Sequence, residues 1–370
     1  MPFSDFHGNP EIIHRLRDML ARKHFPHAMI LAGPHGSGKY TLALMLAKAM
    51  NCLEPPAGEP PDFCGRCANC TRIAQASDLE ARFAEAVEAR ENLRETDKKE
   101  TRILVQTHPD VLVIPPDPPQ LMIKVDQVRR VIETIYYRPG EARERVYIFT
   151  DSCFMKEAAN SLLKVLEEPP EFATIFLLTE NVGELLPTIR SRSMTFTLGA
   201  LPFEEIERDL ANQHPEWTAK QRSLVARLAE GAIGRARGFD VAKYTAARNH
   251  ALTILHSALQ SADHSELFKV TETYRPGADG RAKTEQLLRT LYGLLQDLMF
   301  LNSGAPELVH NTDILGELQK LAAATDFAWI TNASNDKDRS RFRRMPRSRR
   351  HWRRLKSQVS GHLSALACSS

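Results

Sequence analysis

The chain has 370 residues, of which 42% are hydrophobic and 26% charged, with a formal net charge of +3. That length holds two or three domains at roughly 100–200 residues each, and no run approaches the ~18 consecutive apolar residues of a membrane span. The N-terminus, MPFSDFHGNPE, lacks the basic-then-apolar pattern of a signal peptide, so the chain is expected in the cytoplasm without membrane contact.

Short apolar runs punctuate the first 200 residues: AMILA (28–32), DVLVI (110–114), VYIFT (146–150), TIFLL (174–178) and MTFTL (194–198). Continuous apolar runs suit strands buried on both faces, and their alternation with helical patterns predicts a parallel α/β sheet. Directly after the first run comes Gly33-Pro34-His35-Gly36-Ser37-Gly38-Lys39, opening a helical pattern over Tyr40–Met50. Strand, glycine-rich turn and helix is the context of a phosphate-binding P-loop. Glycines allow the backbone to form a nest of N–H groups, the helix N-terminus adds partial positive charge, and Lys39 can reach the outer phosphates. A serine or threonine hydroxyl should follow to hold magnesium; here Tyr40 follows, with Thr41 one step further round the helix.

Four of the six cysteines come next, spaced Cys52-x11-Cys64-x2-Cys67-x2-Cys70. In a cytosolic chain such clustering favours a metal over disulfides, and four thiolates suit tetrahedral zinc. The competing reading is an iron–sulfur cluster, although the Cys-Pro ending of that pattern is absent. Residues 77–102 are charged, with no Gly or Pro, and read as a solvated helical insertion.

VYIFTDS ends a buried strand at Asp151, where P-loop ATPases carry the carboxylate that supports magnesium. The next position commonly carries a glutamate that polarises water, and Ser152 cannot do that work. Lys156–Glu167 has apolar residues at helical spacing and stops before Pro169-Pro170, because proline excludes helical geometry from the residue before it. After the strand 174–178 come Thr179 and the segment LLPTIRSRS. Beyond residue 203 the strand signals fade into amphipathic helices: FEEIERDLAN, TAKQRSLVARLAE and the pattern over 284–301. From Arg339 to Lys356 there are ten Lys/Arg and no acid, so the rest of the chain is net acidic. That tail reads either as a basic arm for DNA phosphates or as the product of an altered reading frame.

Taken together, FSDFHGNPEIIHRL, FPHAMILAGPHGSGK, HPDVLVIPPD, IKVDQVRRV, SLLKVLEEPP, Ser191-Arg192-Ser193 and GAIGRARGF resemble the bacterial clamp-loader subunits of the AAA+ class. The likeness runs through at least residues 3–240 and is closer to the delta-prime branch of DNA polymerase III than to gamma/tau. It implies a RecA-like AAA+ domain over 1–200 with a zinc module at 52–70, a helical lid over 201–245, a helical collar over 246–335 and the basic segment 336–370. It implies a nucleotide site of Gly33, Gly36, Ser37, Gly38, Lys39, Tyr40, Thr41, Asp151, Thr179 and the sensor arginine Arg235. Arg192 would be an arginine finger reaching a neighbour's ATP, with Arg190 its competitor. The cofactors implied are Zn²⁺ at Cys52, Cys64, Cys67 and Cys70, and ATP or ADP held without efficient hydrolysis. The partners implied are gamma/tau and delta subunits, the sliding clamp and primer–template DNA. A gamma/tau-like ATPase and a stand-alone DNA binder acting through the tail are the alternatives.

Overall fold

A computed structural model describes residues 2–22, 25–57, 61–260, 278–325 and 330. The basic segment 336–370 and part of the expected collar lie outside the described residues. By internal contacts the chain divides into two units: residues 1–201 with 232–235, and residues 202–231 with 236–370.

The first unit is built on β1 (Ala28–Ala32), β2 (Val105–His108), β3 (Val111–Ile114), β4 (Arg145–Phe149), β5 (Ala173–Thr179) and β6 (Met194–Thr197), in the order β2-β3-β4-β5-β1-β6. Side chains alternate across a strand. Thus Met29 and Leu31 of β1 join one apolar cluster, while Ala28, Ile30 and Ala32 join another. The first cluster is closed by α1 (Pro10–Ala21), α2 (Lys39–Asn51) and α3 (Ala68–Ala74); the second by α6 (Val125–Ile135) and α7 (Lys156–Glu167). Burial on both faces explains the unbroken apolar runs of β1, β3, β4 and β5; β6, at the sheet edge, buries only Phe196, so its run is not of that kind.

The sheet is not wholly parallel. β2 pairs antiparallel with β3 through Val105–Val113 and His108–Val111, whereas β3, β4, β5, β1 and β6 are parallel to one another. The charged insertion forms α4 (Leu79–Glu91), with no buried residue, and α5 (Glu95–Glu100). It is tied down at Arg90, which donates to Asp117 Oδ1 at 3.0 Å, and the same oxygen accepts from Ile103 N at 3.0 Å; Leu79 of α4 also packs against the first apolar cluster.

The second unit is helical: α9 (Phe203–Gln213), α10 (Ala219–Leu228), α12 (Val241–Gln260), α13 (Ala278–Asn302) and α14 (Leu315–Ala323), after the short α8 (Pro187–Arg190) of the first unit and α11 (Ile233–Arg237) at the junction of the two units' residues. Leu252, Leu255, Leu294, Leu298, Leu318 and Leu321 form its core. Asp297 lies fully buried there, accepting from His310 N at 2.8 Å and from Asn311 N at 3.0 Å and Nδ2 at 2.8 Å. Burial pushes its pKa up, but the His310 ring, 3.0 Å from Oδ1, together with those amides more than offsets that and lowers it. Among the described residues no helix is long and apolar enough to cross a membrane.

Candidate nucleotide and metal sites

β1 delivers the chain into the glycine-rich turn, where Gly33 N donates to Thr179 O of β5 at 3.1 Å. Gly36 has φ +79° and Gly38, the N-cap of α2, has φ +89°. L side chains rarely adopt that region. At Gly36 space forbids one as well: a Cβ would lie 2.7 Å from Arg235 N. The closeness has a purpose, since Gly234 N donates to Gly36 O at 2.8 Å. Gly234 is constrained in return, because a Cβ there would lie 2.8 Å from that same oxygen. The turn thus leads into a thirteen-residue helix, whose first amides and dipole face any anion placed there.

Lys39 folds back over the turn, donating to Gly33 O at 2.6 Å and Pro34 O at 2.8 Å. Burial lowers its pKa, and the carboxylates of Glu180 and Asp151 oppose that shift. Asp151 is shifted up by burial, with Glu184 and Glu180 adding to the effect and the Cys153 amide, 2.8 Å from Oδ1, opposing it. Two carboxylates, Glu180 and Asp151, thus act on the lysine, and a third, Glu184, acts on Asp151.

Two residues where the sequence departs from an ATPase have other work. The Tyr40 hydroxyl donates to Ala76 O at 2.6 Å; burial raises its pKa well above the ordinary phenol range. Thr41 is half-buried beside it. Ser152 donates to Glu184 Oε2 at 2.5 Å, and Thr179 Oγ1 lies 2.9 Å from the Ser152 oxygen. A carboxylate therefore does stand beside Asp151, supplied by the 3-10 turn Val182–Glu184, but it is engaged by the serine. Sequence spacing gave no hint of Glu184, 32 positions from its partner. Ser37 is buried within the turn and its hydroxyl has no hydrogen-bond partner among the described residues. Arg235 lies on the exposed side of residues 232–235, its backbone against Gly36.

The four cysteines converge. Cys52 caps the C-terminus of α2, Cys67 caps the N-terminus of α3, Cys70 lies within α3, and Cys64 comes from the loop between the helices. Their sulfurs all lie within 4.8 Å of one another and could hold a metal ion. For zinc with bonds of about 2.3 Å, a tetrahedron places sulfurs about 3.8 Å apart, so small side-chain adjustments suffice. Backbone amides already point at sulfur, from Cys64 N to Cys52 Sγ and from Cys67 N to Cys64 Sγ, each 3.2 Å. Burial pushes the Cys52 and Cys70 thiols up. Against the same burial, the amides of Cys70 and Leu53 and the neighbouring sulfurs bring Cys67 down to about 6. Among the described residues Cys153 is exposed and stands apart from the cluster.

Arg192 lies on the surface after α8. Its Nη2 is 2.7 Å from Glu167 Oε1 and its Nη1 donates to Thr188 O at 3.0 Å. Arg190 is exposed and makes no ion pair among the described residues.

A family profile described as "DNA polymerase III, delta subunit" matches residues 8–202. The DNA polymerase III subunit tau of Escherichia coli K12 is 29% identical over 236 residues, 62% of this chain and 31% of the relative. The chain therefore spans under a third of that relative's length. The DNA polymerase III subunit delta' of Bacillus subtilis 168 is 27% identical over 326 residues, 87% of each chain. A DNA polymerase III gamma-subunit-related structure from Thermotoga maritima aligns over 83% of this chain and 99% of its own, at 19% identity and a TM-score of 0.41.

Proposed function

Because this chain belongs to the DNA polymerase III, delta subunit family, we propose that it is the delta-prime member of a clamp loader, a subunit that supplies an arginine to a neighbour's ATP instead of hydrolysing its own. The carrying observation is the double re-employment at the P-loop. Tyr40 is spent on Ala76 O, and Ser152, in place of a water-polarising carboxylate, holds Glu184 by its hydroxyl. Phosphoryl transfer requires metal, water and charge to be placed together, and here two of those placements are altered. The glycine turn, Lys39, Asp151, Thr179 and Arg235 remain able to bind ATP or ADP. Arg192, with its planar fork of donors, is suited to developing phosphate charge.

In this reading Cys52, Cys64, Cys67 and Cys70 hold zinc, which would supply structural cross-linking and no step of chemistry. Residues 201–245 serve as lid and 246–335 as collar. The partners are gamma/tau-type and delta subunits, the sliding clamp and primer–template DNA, in the cytoplasm. The basic segment 336–370 is assigned no part in assembly.

The test is reconstitution. Mixing the purified chain with gamma/tau-type and delta subunits should give a co-eluting complex that loads the clamp on primed DNA only when the chain is present. Loading that proceeds equally without it, or failure to join the complex, would overturn the proposal. DNA binding by the chain alone that vanishes with residues 339–370 would favour the stand-alone alternative.

A further inference from the structure

α2 runs between the two candidate sites: Lys39 opens it and Cys52 caps its other end. A second connection is shorter. Tyr40, adjacent to Lys39 in the first turn of α2, donates its hydroxyl to Ala76 O at 2.6 Å. Ala76 lies two residues past the end of α3, and α3 is the helix capped by Cys67 and carrying Cys70. Tyr40 also packs against the apolar cluster that contains Cys52, Cys67, Cys70, Ile73 and Ala76. The far end of the helix is fastened as well. Asn69 of α3 donates to Asn51 O at 3.0 Å, and the Lys48 ammonium sits 5.5 Å from the Phe63 ring centroid.

From this geometry we infer that Tyr40 is a positioning residue that couples the cysteine site to the phosphate-binding turn. Its side chain fixes the first turn of α2 to the far end of α3, and the metal fixes α3. Loss of the ion frees α3 to shift, carrying Ala76 and, through the hydroxyl, the turn whose amides would face phosphate. The tyrosine that removes a magnesium-binding hydroxyl thereby gives the nucleotide site a dependence on metal occupancy. This inference rests on the nucleotide- and metal-binding readings above.

The probe is the fluorescent nucleotide mant-ADP, titrated into the full chain before and after removal of zinc with a chelator, for wild type and Tyr40→Phe. Wild type is expected to lose about two- to tenfold in affinity on metal removal, the scale of one net hydrogen bond. Tyr40→Phe should show a loss of that size with zinc in place, and no further loss on chelation. Amide hydrogen exchange over residues 34–41 provides a readout independent of nucleotide. Protection should fall on chelation in wild type and be already reduced, and metal-insensitive, in Tyr40→Phe. Absence of mant-ADP binding by wild type would overturn the nucleotide reading alone and leave the exchange experiment to decide the coupling. Affinity and exchange that ignore the metal in wild type, or a Tyr40→Phe protein that responds to chelation as wild type does, would overturn the coupling.

Discussion

Asp110→Asn keeps the shape of a side chain that is 1% exposed and removes its charge. In the native chain the carboxylate accepts from Gly140 N at 3.0 and 3.1 Å, from Glu141 N at 2.9 Å and from Ala142 N at 2.9 Å. Arg145 Nη2 lies 3.4 Å away. With its oxygen at the Oδ2 position an amide can still face all three backbone N–H groups. Its N–H₂ then replaces Oδ1 and sets donor against donor 3.0 Å from Gly140 N and 3.4 Å from Arg145 Nη2. The opposite orientation leaves Glu141 N and Ala142 N without an acceptor. Each buried donor left unmet costs about 1–3 kcal/mol, and the half-buried Arg145 loses its counter-charge. The expected destabilisation is roughly 2–4 kcal/mol, a large share of a stability of about 5–15 kcal/mol. Urea unfolding of the full chain at pH 7 measures it, with Asp126→Asn as control. Asp126 is 45% exposed and pairs with Arg102 and Arg129, so its loss should cost under about 1 kcal/mol. Burial alone would raise the Asp110 pKa, but the three amides and Arg145 more than offset it and hold the folded-state value low. A depressed carboxylate pKa gives stability that is present above the unfolded-state value and lost as pH falls through the folded-state one. The gap between wild type and Asp110→Asn should therefore shrink below about pH 4. A penalty under about 0.5 kcal/mol at pH 7, or a gap unchanged in acid, would refute this reasoning.

Metal analysis of the purified chain should return a single zinc ion that Cys67→Ser loses; iron with visible absorbance would contradict the thiolate reading. Gly36→Ala should strain the turn by about 1–3 kcal/mol, since its φ is +79° and its Cβ would meet Arg235 N. Nucleotide affinity should then fall about tenfold or more at unchanged zinc content, and unaltered affinity would show that the turn is not the binding site. The isolated chain should hydrolyse ATP far below the order of 1 s⁻¹; turnover on that order would show that Glu184 or another group activates water despite Ser152.

The strands over 28–32 and 174–178 and the helix over 156–167 were legible because both-face burial and a Pro-Pro stop write themselves into local sequence. β2 was not, because Val105-Gln106-Thr107-His108 has no apolar run and is held by pairing with β3. The cysteine cluster was legible because tight C-x2-C spacing constrains where the sulfurs can go. Tyr40 could be seen as an anomaly, but its partner could not, since Ala76 contributes a backbone oxygen that any residue would offer. Likewise Glu184 reaches Ser152 and Glu167 reaches Arg192 only through the turns after β5, across 32 and 25 positions. Nor did composition reveal that Arg90 anchors the insertion, because nothing local distinguishes it from its exposed neighbours.

The arginine finger acting in trans is the central claim, and substitution within the reconstituted complex tests it most directly. Where a site depends fully on such an arginine its loss costs 10³–10⁵ in rate; in an assembly whose other sites keep their own fingers the loss is smaller. Arg192→Ala should leave the chain folded, zinc-loaded and able to assemble, yet lower DNA-stimulated ATPase and clamp loading, with Arg192→Lys a poor rescue because a point charge lacks the fork. Arg190→Ala, run in parallel, should assemble and load normally. Unchanged ATPase and loading for Arg192→Ala with impairment for Arg190→Ala would move the finger to Arg190, and no effect from either would contradict the account.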